Sequence, residues 1–164
     1  MTAQSTTLSP HVRETIDHAL KKYPPEQKRS AVLAALHEVQ HENHGFLTQG
    51  LMDAVAQYLA MSPIAVYEVA SFYSMFETKP VGRHSISICT NVSCMLNGSD
   101  AIVGHVENAL GIKIGESTAD GKIYLKREEE CLAACCGAPM MMVDHVYHEN
   151  LTADKVDEIL AALK

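Results

Sequence analysis

Four of the five cysteines in this chain fall into two spaced pairs, Cys89-x4-Cys94 and Cys131-x3-Cys135, with thirty-six residues between the pairs. If both pairs serve one centre, the fold must bring two remote loops to a single point, and few small architectures do that. Each pair follows a stretch that reads as a β-strand, so convergence at one end of a small sheet is the expected arrangement. The fifth thiol, Cys136, directly follows Cys135 in "CLAACCGAP".

Hydrophobic periodicity divides the chain on either side of "ETKPVGR", residues 77–83. Before it the spacing is helical. "SPHVRETIDHALKK" has Ser9 as N-cap and Pro10 in the first turn, with Val12, Ile16, Ala19 and Leu20 on one face. "AVLAALHEVQHEN" places Val32, Ala35, Leu36 and Val39 on a stripe, with Gly45 as the expected C-cap. Thr48 caps a third helix carrying Leu51, Val55, Tyr58 and Leu59. A fourth begins at Ser62-Pro63 and is apolar on nearly every face from Ile64 to Phe76. Such a helix is central to a core or covered by a partner, and the central position is the expectation here.

After residue 83 the pattern changes to alternation. "HSISIC" reads as a strand running into Cys89, "SDAIVGHVENALG" as a helix ended by Gly111, and "KIYLKRE", "MMMV" and "VYHE" as three further strands. "TADKVDEILAALK" closes the sequence as a helix with Val156, Ile159, Leu160 and Leu163 inward. The expectation is an α+β chain: a helical region over 9–76, a linker over 77–83 and a β-α-β-β-β-α unit over 84–164.

At 164 residues and 47% apolar, the chain can bury a sizeable core. Its opening "MTAQSTTLSP" lacks the basic and apolar regions of a signal peptide, and runs such as "AVLAAL" are too short to span a bilayer, so a cytoplasmic, soluble protein is expected. A net charge of −7 argues against a nucleic-acid partner, which needs a basic surface. Residues 1–83 hold seven Lys/Arg against eight Asp/Glu, whereas residues 84–164 hold six against twelve, so the acid sits in the half with every cysteine.

Clustered thiols in a reducing compartment point to metal binding or catalysis more than to disulfides. Zinc uses ligands two to four residues apart, and these pairs sit at the loose end of that range. A [2Fe–2S] cluster, with two thiolates on each of two irons, suits two wider loops. A redox dithiol is the third reading, disfavoured by the absence of Cys-x-x-Cys. Glu128, Glu129 and Glu130 precede Cys131 directly; they oppose added negative charge, unless they form an ordinary solvated turn.

The segments "CTNVSCMLNGSD" and "ECLAACCGAPMMMVD", with "VYEVASFYSMF" upstream, resemble the E subunit of bacterial NADH-quinone oxidoreductase (complex I) and its counterparts in NAD-linked hydrogenases and formate dehydrogenases. The resemblance runs from about Leu33 to the last helix. It implies a helical N-terminal region joined to a thioredoxin-like ferredoxin domain, with one [2Fe–2S] cluster held by Cys89, Cys94, Cys131 and Cys135. It also implies a partner subunit carrying FMN and NADH, and peripheral attachment to a membrane through the complex. The x3 spacing from Cys131 selects Cys135 over Cys136, which is expected to pack as a small buried side chain.

Two other patterns compete. "HEVQH", His37 to His41, is formally the zinc-peptidase motif, with His44 nearby. A chain with nine histidines reaches that pattern by chance, His44 stands where the extended motif needs glycine, and the stretch is expected to be a helix with its polar residues outward. Met140 to Met142 are expected to fill the core beside the cysteines. No glycine-rich phosphate loop or dinucleotide fingerprint is present, so sites for NADH and FMN are expected on another chain. A non-redox zinc-binding interaction module is the alternative from a different class.

Overall fold

The computed structural model describes residues 7–127 and 131–163. Between Pro80 and Val81 the chain divides into two compact units, Met1–Pro80 and Val81–Lys164.

The first unit is helical. Its helices are α1 (Pro10–Leu20), α2 (Val32–Glu42), α3 (Gln49–Leu59) and α4 (Pro63–Phe72), and a 3-10 segment, Pro25–Ala31, leads into α2. Ser9 and Thr48 cap as expected: the Ser9 hydroxyl accepts from the Val12 N–H at 3.1 Å and Thr48 from the Leu51 N–H at 3.3 Å. Val12, Ile16, Leu36, Val39, Val55 and Leu59 form the core. The Tyr58 hydroxyl, on α3, donates to Asp17 Oδ1 on α1 at 2.8 Å. That bond, followed by burial and the Asp17 charge, raises the tyrosine pKa. A tyrosine whose folded pKa is raised contributes stability fully below its ordinary value and loses it as pH climbs through the folded value. Tyr58→Phe is therefore expected to cost about 0.5 kcal/mol in a urea melt at neutral pH, the low end for a hydrogen bond because solvent competes, and to flatten the alkaline end of the stability curve.

Helix α4 departs from the sequence-based expectation of a central helix. It ends at Phe72, because Tyr73 is extended at φ −87°, ψ 126°, and only Val66 and Ala70 are buried along it. Phe72 is 80% exposed and Ile64 63%, with Tyr67, Tyr73 and Met75 also exposed. The helix packs against α3 and α2 through a narrow stripe around Val66 and Ala70, and on its exposed side Phe72 sits edge-on to Tyr73.

The second unit is a mixed four-stranded sheet in the order β2-β1-β3-β4, with β1 His84–Ile88, β2 Ile123–Leu125, β3 Met141–Val143 and β4 Val146–His148. β1 runs parallel to β2 and antiparallel to β3, and β3 and β4 form a hairpin. The registers put Leu125, Ile86 and Val143 in one cross-strand row. Because side chains alternate along a strand, Ile86, Ile88, Ile123, Leu125, Met141 and Val143 share a face. That face is covered by Ile102 and Val106 of α6 (Ser99–Leu110) and Val156 of α7 (Ala153–Ala162). A short helix absent from the sequence-based expectation, α5 (Val92–Leu96), lies between β1 and α6, with the Asn91 side chain accepting from the Val92 N–H. The mixed architecture agrees with the expected α+β class. Among the described residues, no helix is long and apolar enough to cross a membrane.

Candidate functional site

Cys89 follows β1 by one residue, and β1 pairs antiparallel with β3, so the end of β1 lies beside the start of β3. The Cys89 N–H donates to the Met140 carbonyl at 3.2 Å, fixing that juxtaposition. Cys94 sits inside α5, and Cys131 and Cys135 come from the loop between β2 and β3. The two remote segments are tied together: the Ser93 hydroxyl donates to the Cys135 carbonyl at 3.3 Å. Cys89, Cys94, Leu132 and Met140 form a small buried cluster, with Ala134, Ala138 and Met142 packed against it. Met140 and Met142 thus fill space beside the thiols as expected.

The thiols are not equivalent. Cys89 and Cys94 are buried, whereas Cys131, Cys135 and Cys136 are exposed, and none is in a disulfide. Cys131 Sγ and Cys135 Sγ stand 3.7 Å apart, and the Ala133 N–H, on a residue at φ 61°, donates to Cys131 Sγ at 3.4 Å. Two thiolates on one tetrahedral metal with bonds of about 2.3 Å are separated by about 3.8 Å, so this pair already has the spacing of ligands to a single ion.

Electrostatics link all four. Burial pushes the Cys89 thiol up, but N–H groups of Leu132 and Asn91 and hydrogen bonds with Cys94 and Cys131 more than offset it, leaving the pKa below its ordinary value. Cys94 is pushed up to about 11 by burial first, then by its hydrogen bond with Cys89 and by the Cys89 and Cys135 charges, with the Met140 N–H acting against them. Cys135 is raised chiefly by its hydrogen bond with Cys131 and the charge there. Cys89, Cys94, Cys131 and Cys135 therefore influence one another's protonation. Thiols so linked resist carrying their full negative charge together, and a bound cation would relieve that repulsion.

The sequence-predicted residues Cys89, Cys94, Cys131 and Cys135 are thus brought together, as two pairs. Among the described residues, no three His, Cys, Asp or Glu side chains converge as a site for one ion. Four thiols in two pairs are the donor chemistry a two-iron centre asks for, with two thiolates on each iron. Cys136 departs from its expected burial. It lies in a 3-10 turn, Cys135–Gly137, where successive side chains are about 120° apart, and the inward position is taken by Gly137. Glu128, Glu129 and Glu130 lie outside the described residues.

Two side chains of "HEVQH" take other partners. Glu38 Oε1 is 3.2 Å from His11 Nε2, and His37 Nε2 is 3.0 Å from Met75 Sδ, with its ring edge-on to Phe76. What the sequence did not reveal is the set of backbone donors, from Asn91, Leu132, Ala133 and Met140, that serve the sulfurs. A main-chain N–H leaves no residue-type signature. Gly137 serves close approach, since a Cβ there would stand 2.5 Å from Glu149 Cβ.

The sequence profile described as thioredoxin-like [2Fe-2S] ferredoxin matches residues 16–164. The chain is 44% identical over 153 residues to the second E subunit of NADH-quinone oxidoreductase in Rhizobium meliloti (strain 1021), covering 93% of this chain and 89% of that one. It is 45% identical over 148 residues to the E subunit of the same enzyme in Rickettsia conorii, covering 90% and 88%. Its fold superposes with a TM-score of 0.71 on part of an NAD+-reducing [NiFe]-hydrogenase crystallised in the H2-reduced state, at 24% identity, over 80% of this chain but only 22% of that one. Taken with the mixed sheet and the two converging thiol pairs, these likenesses establish that the chain belongs to the thioredoxin-like [2Fe-2S] ferredoxin family, among the E subunits of NADH-quinone oxidoreductase.

Proposed function

We propose that this chain is an electron-carrying subunit of an NADH-quinone oxidoreductase and that Cys89, Cys94, Cys131 and Cys135 hold its [2Fe–2S] cluster. The observation that carries this reading is the meeting of two thiol pairs at one end of the sheet, one buried and one exposed, in a chain of this family. When bound, the cluster supplies a site that takes and returns one electron, exchanged with FMN on an NADH-binding partner subunit. The protein's own work is to hold four sulfurs, to exclude water from Cys89 and Cys94 behind Leu132 and Met140, and to leave Cys131 and Cys135 open. Backbone N–H groups aimed at the sulfurs stabilise their negative charge without a counter-ion. Residues 84–164 form the cluster domain in this reading, and residues 9–76 a docking region. The chain sits at the cytoplasmic face of a membrane, held there by the other subunits.

The relatives named as E subunits favour the quinone reductase over a hydrogenase diaphorase, for which the likeness extends to the fold alone. The test uses the chain co-expressed with its flavin subunit. Mixing the pair with NADH should bleach the cluster absorption in one phase, and the chain without the flavin subunit should not respond. Direct bleaching of the isolated chain by NADH would contradict the reading.

The exposed apolar side of α4 is where the partner should bind. Phe72, at 80% exposed, is the residue to change, because an aspartate there costs the isolated unit almost nothing. Phe72→Asp is expected to leave the melting temperature within a degree or two and to weaken co-purification with the flavin subunit at least tenfold. Unchanged co-purification would place the interface elsewhere.

A further inference from the structure

The connector between β4 and α7 runs along the exposed cysteine loop. The Asn150 N–H donates to the Gly137 carbonyl at 2.6 Å and the Leu151 N–H to the Pro139 carbonyl at 2.9 Å. Leu151 is buried in the sheet core, which anchors the connector. These bonds lay the Glu149 side chain over the α-carbon of Gly137: its Cβ, Cγ and Cδ all fall 2.5–2.6 Å from where a Cβ of residue 137 would stand. The carboxyl-bearing carbon is therefore held against a turn that begins at Cys135. Lys155 is the nearby cation, but its Nζ donates to the backbone carbonyl of Glu149.

We propose that Glu149 is a positioning residue for the cysteine centre, whose fixed negative charge beside the Cys135–Gly137 turn holds the reduction potential of the cluster down. This rests on the reading that the four thiols carry a [2Fe–2S] group. A carboxylate held against the turn that begins at Cys135 opposes the gain of an electron there, and because Glu149 is exposed, water and salt screen part of that effect. Glycine at 137 is what permits the approach, since any side chain there would displace Glu149 at its own Cβ rather than at its flexible end.

The experiment compares the full-length parent chain with Glu149→Gln, Glu149→Asp and Glu149→Ala, all loaded anaerobically and titrated potentiometrically by EPR and visible absorption. Glu149→Gln should load like the parent with the same EPR line shape and a higher midpoint potential, while Glu149→Asp stays near the parent. Glu149→Ala is the second neutral variant, should Glu149→Gln load poorly, and it should show the same rise. The difference should shrink in 1 M salt, where the screening length falls to about 3 Å. A neutral variant that loads and keeps the parent's midpoint at low salt overturns the inference and leaves the function intact. A parent that takes up no cluster overturns both.

Discussion

Replacing Cys135 by serine should remove most of the visible absorption of the purified chain, whereas replacing Cys136 should leave the spectrum almost unchanged. The two thiols are chain neighbours and both exposed, so burial cannot separate them. Geometry does: Cys135 Sγ lies 3.7 Å from Cys131 Sγ, close to the separation of about 3.8 Å that two ligands on one tetrahedral metal require. Cys135 is also linked electrostatically to Cys131, Cys89 and Cys94, as the causes of the Cys135 and Cys94 shifts show. Iron per chain should fall from about two to well under one in Cys135→Ser. Full iron content in Cys135→Ser together with loss in Cys136→Ser would reverse the assignment.

The second large effect is structural. Gly82 packs against β2 so closely that a Cβ would stand 2.4 Å from the Ile123 carbonyl carbon and 2.6 Å from the Tyr124 nitrogen. These are main-chain atoms of a paired strand, so no side-chain rotation relieves the clash. The Gly82 N–H also donates to the Ser117 hydroxyl at 3.0 Å, holding the approach in place. Gly82→Ala should cost about 3 kcal/mol, the upper end for overpacking, out of a total stability on the order of 5–15 kcal/mol. The melting temperature should drop by roughly 10 °C. Gly104, inside α6, has nothing within 4 Å of its would-be Cβ. Gly104→Ala should therefore stabilise by about 0.5–1 kcal/mol through helix propensity. Equal effects of the two substitutions in a thermal melt would show that local propensity, not the strand contact, governs Gly82.

Much of this architecture was legible in the sequence because its signals are local. Ser9 and Thr48 are polar caps placed three residues before the first inward apolar residue, and both form the expected hydrogen bonds. The 2.0-residue alternation of "HSISIC" gave β1, and the loops at strand ends gave the meeting of the cysteines. Helix α5 escaped because five residues are too few to establish a period, although Asn91 as its cap was a usable sign. For α4, composition cannot distinguish an apolar residue buried in its own unit from one kept for a partner. Glu149 lies twelve residues from Gly137 in sequence, and only the hydrogen bonds of Asn150 and Leu151 bring them together. The thioether filling by Met140 was legible as chemistry, but its carbonyl bond to the Cys89 N–H was not.

The central claim is that the four thiols hold a two-iron redox group. The most direct measurement is EPR of the anaerobically purified full-length chain before and after reduction with dithionite, with iron, sulfide and zinc determined on the same sample. The account predicts a coloured protein with about two irons and two sulfides per chain, silent when oxidised and showing a single spin-½ signal when reduced. A colourless protein carrying stoichiometric zinc and giving no signal on reduction would contradict it.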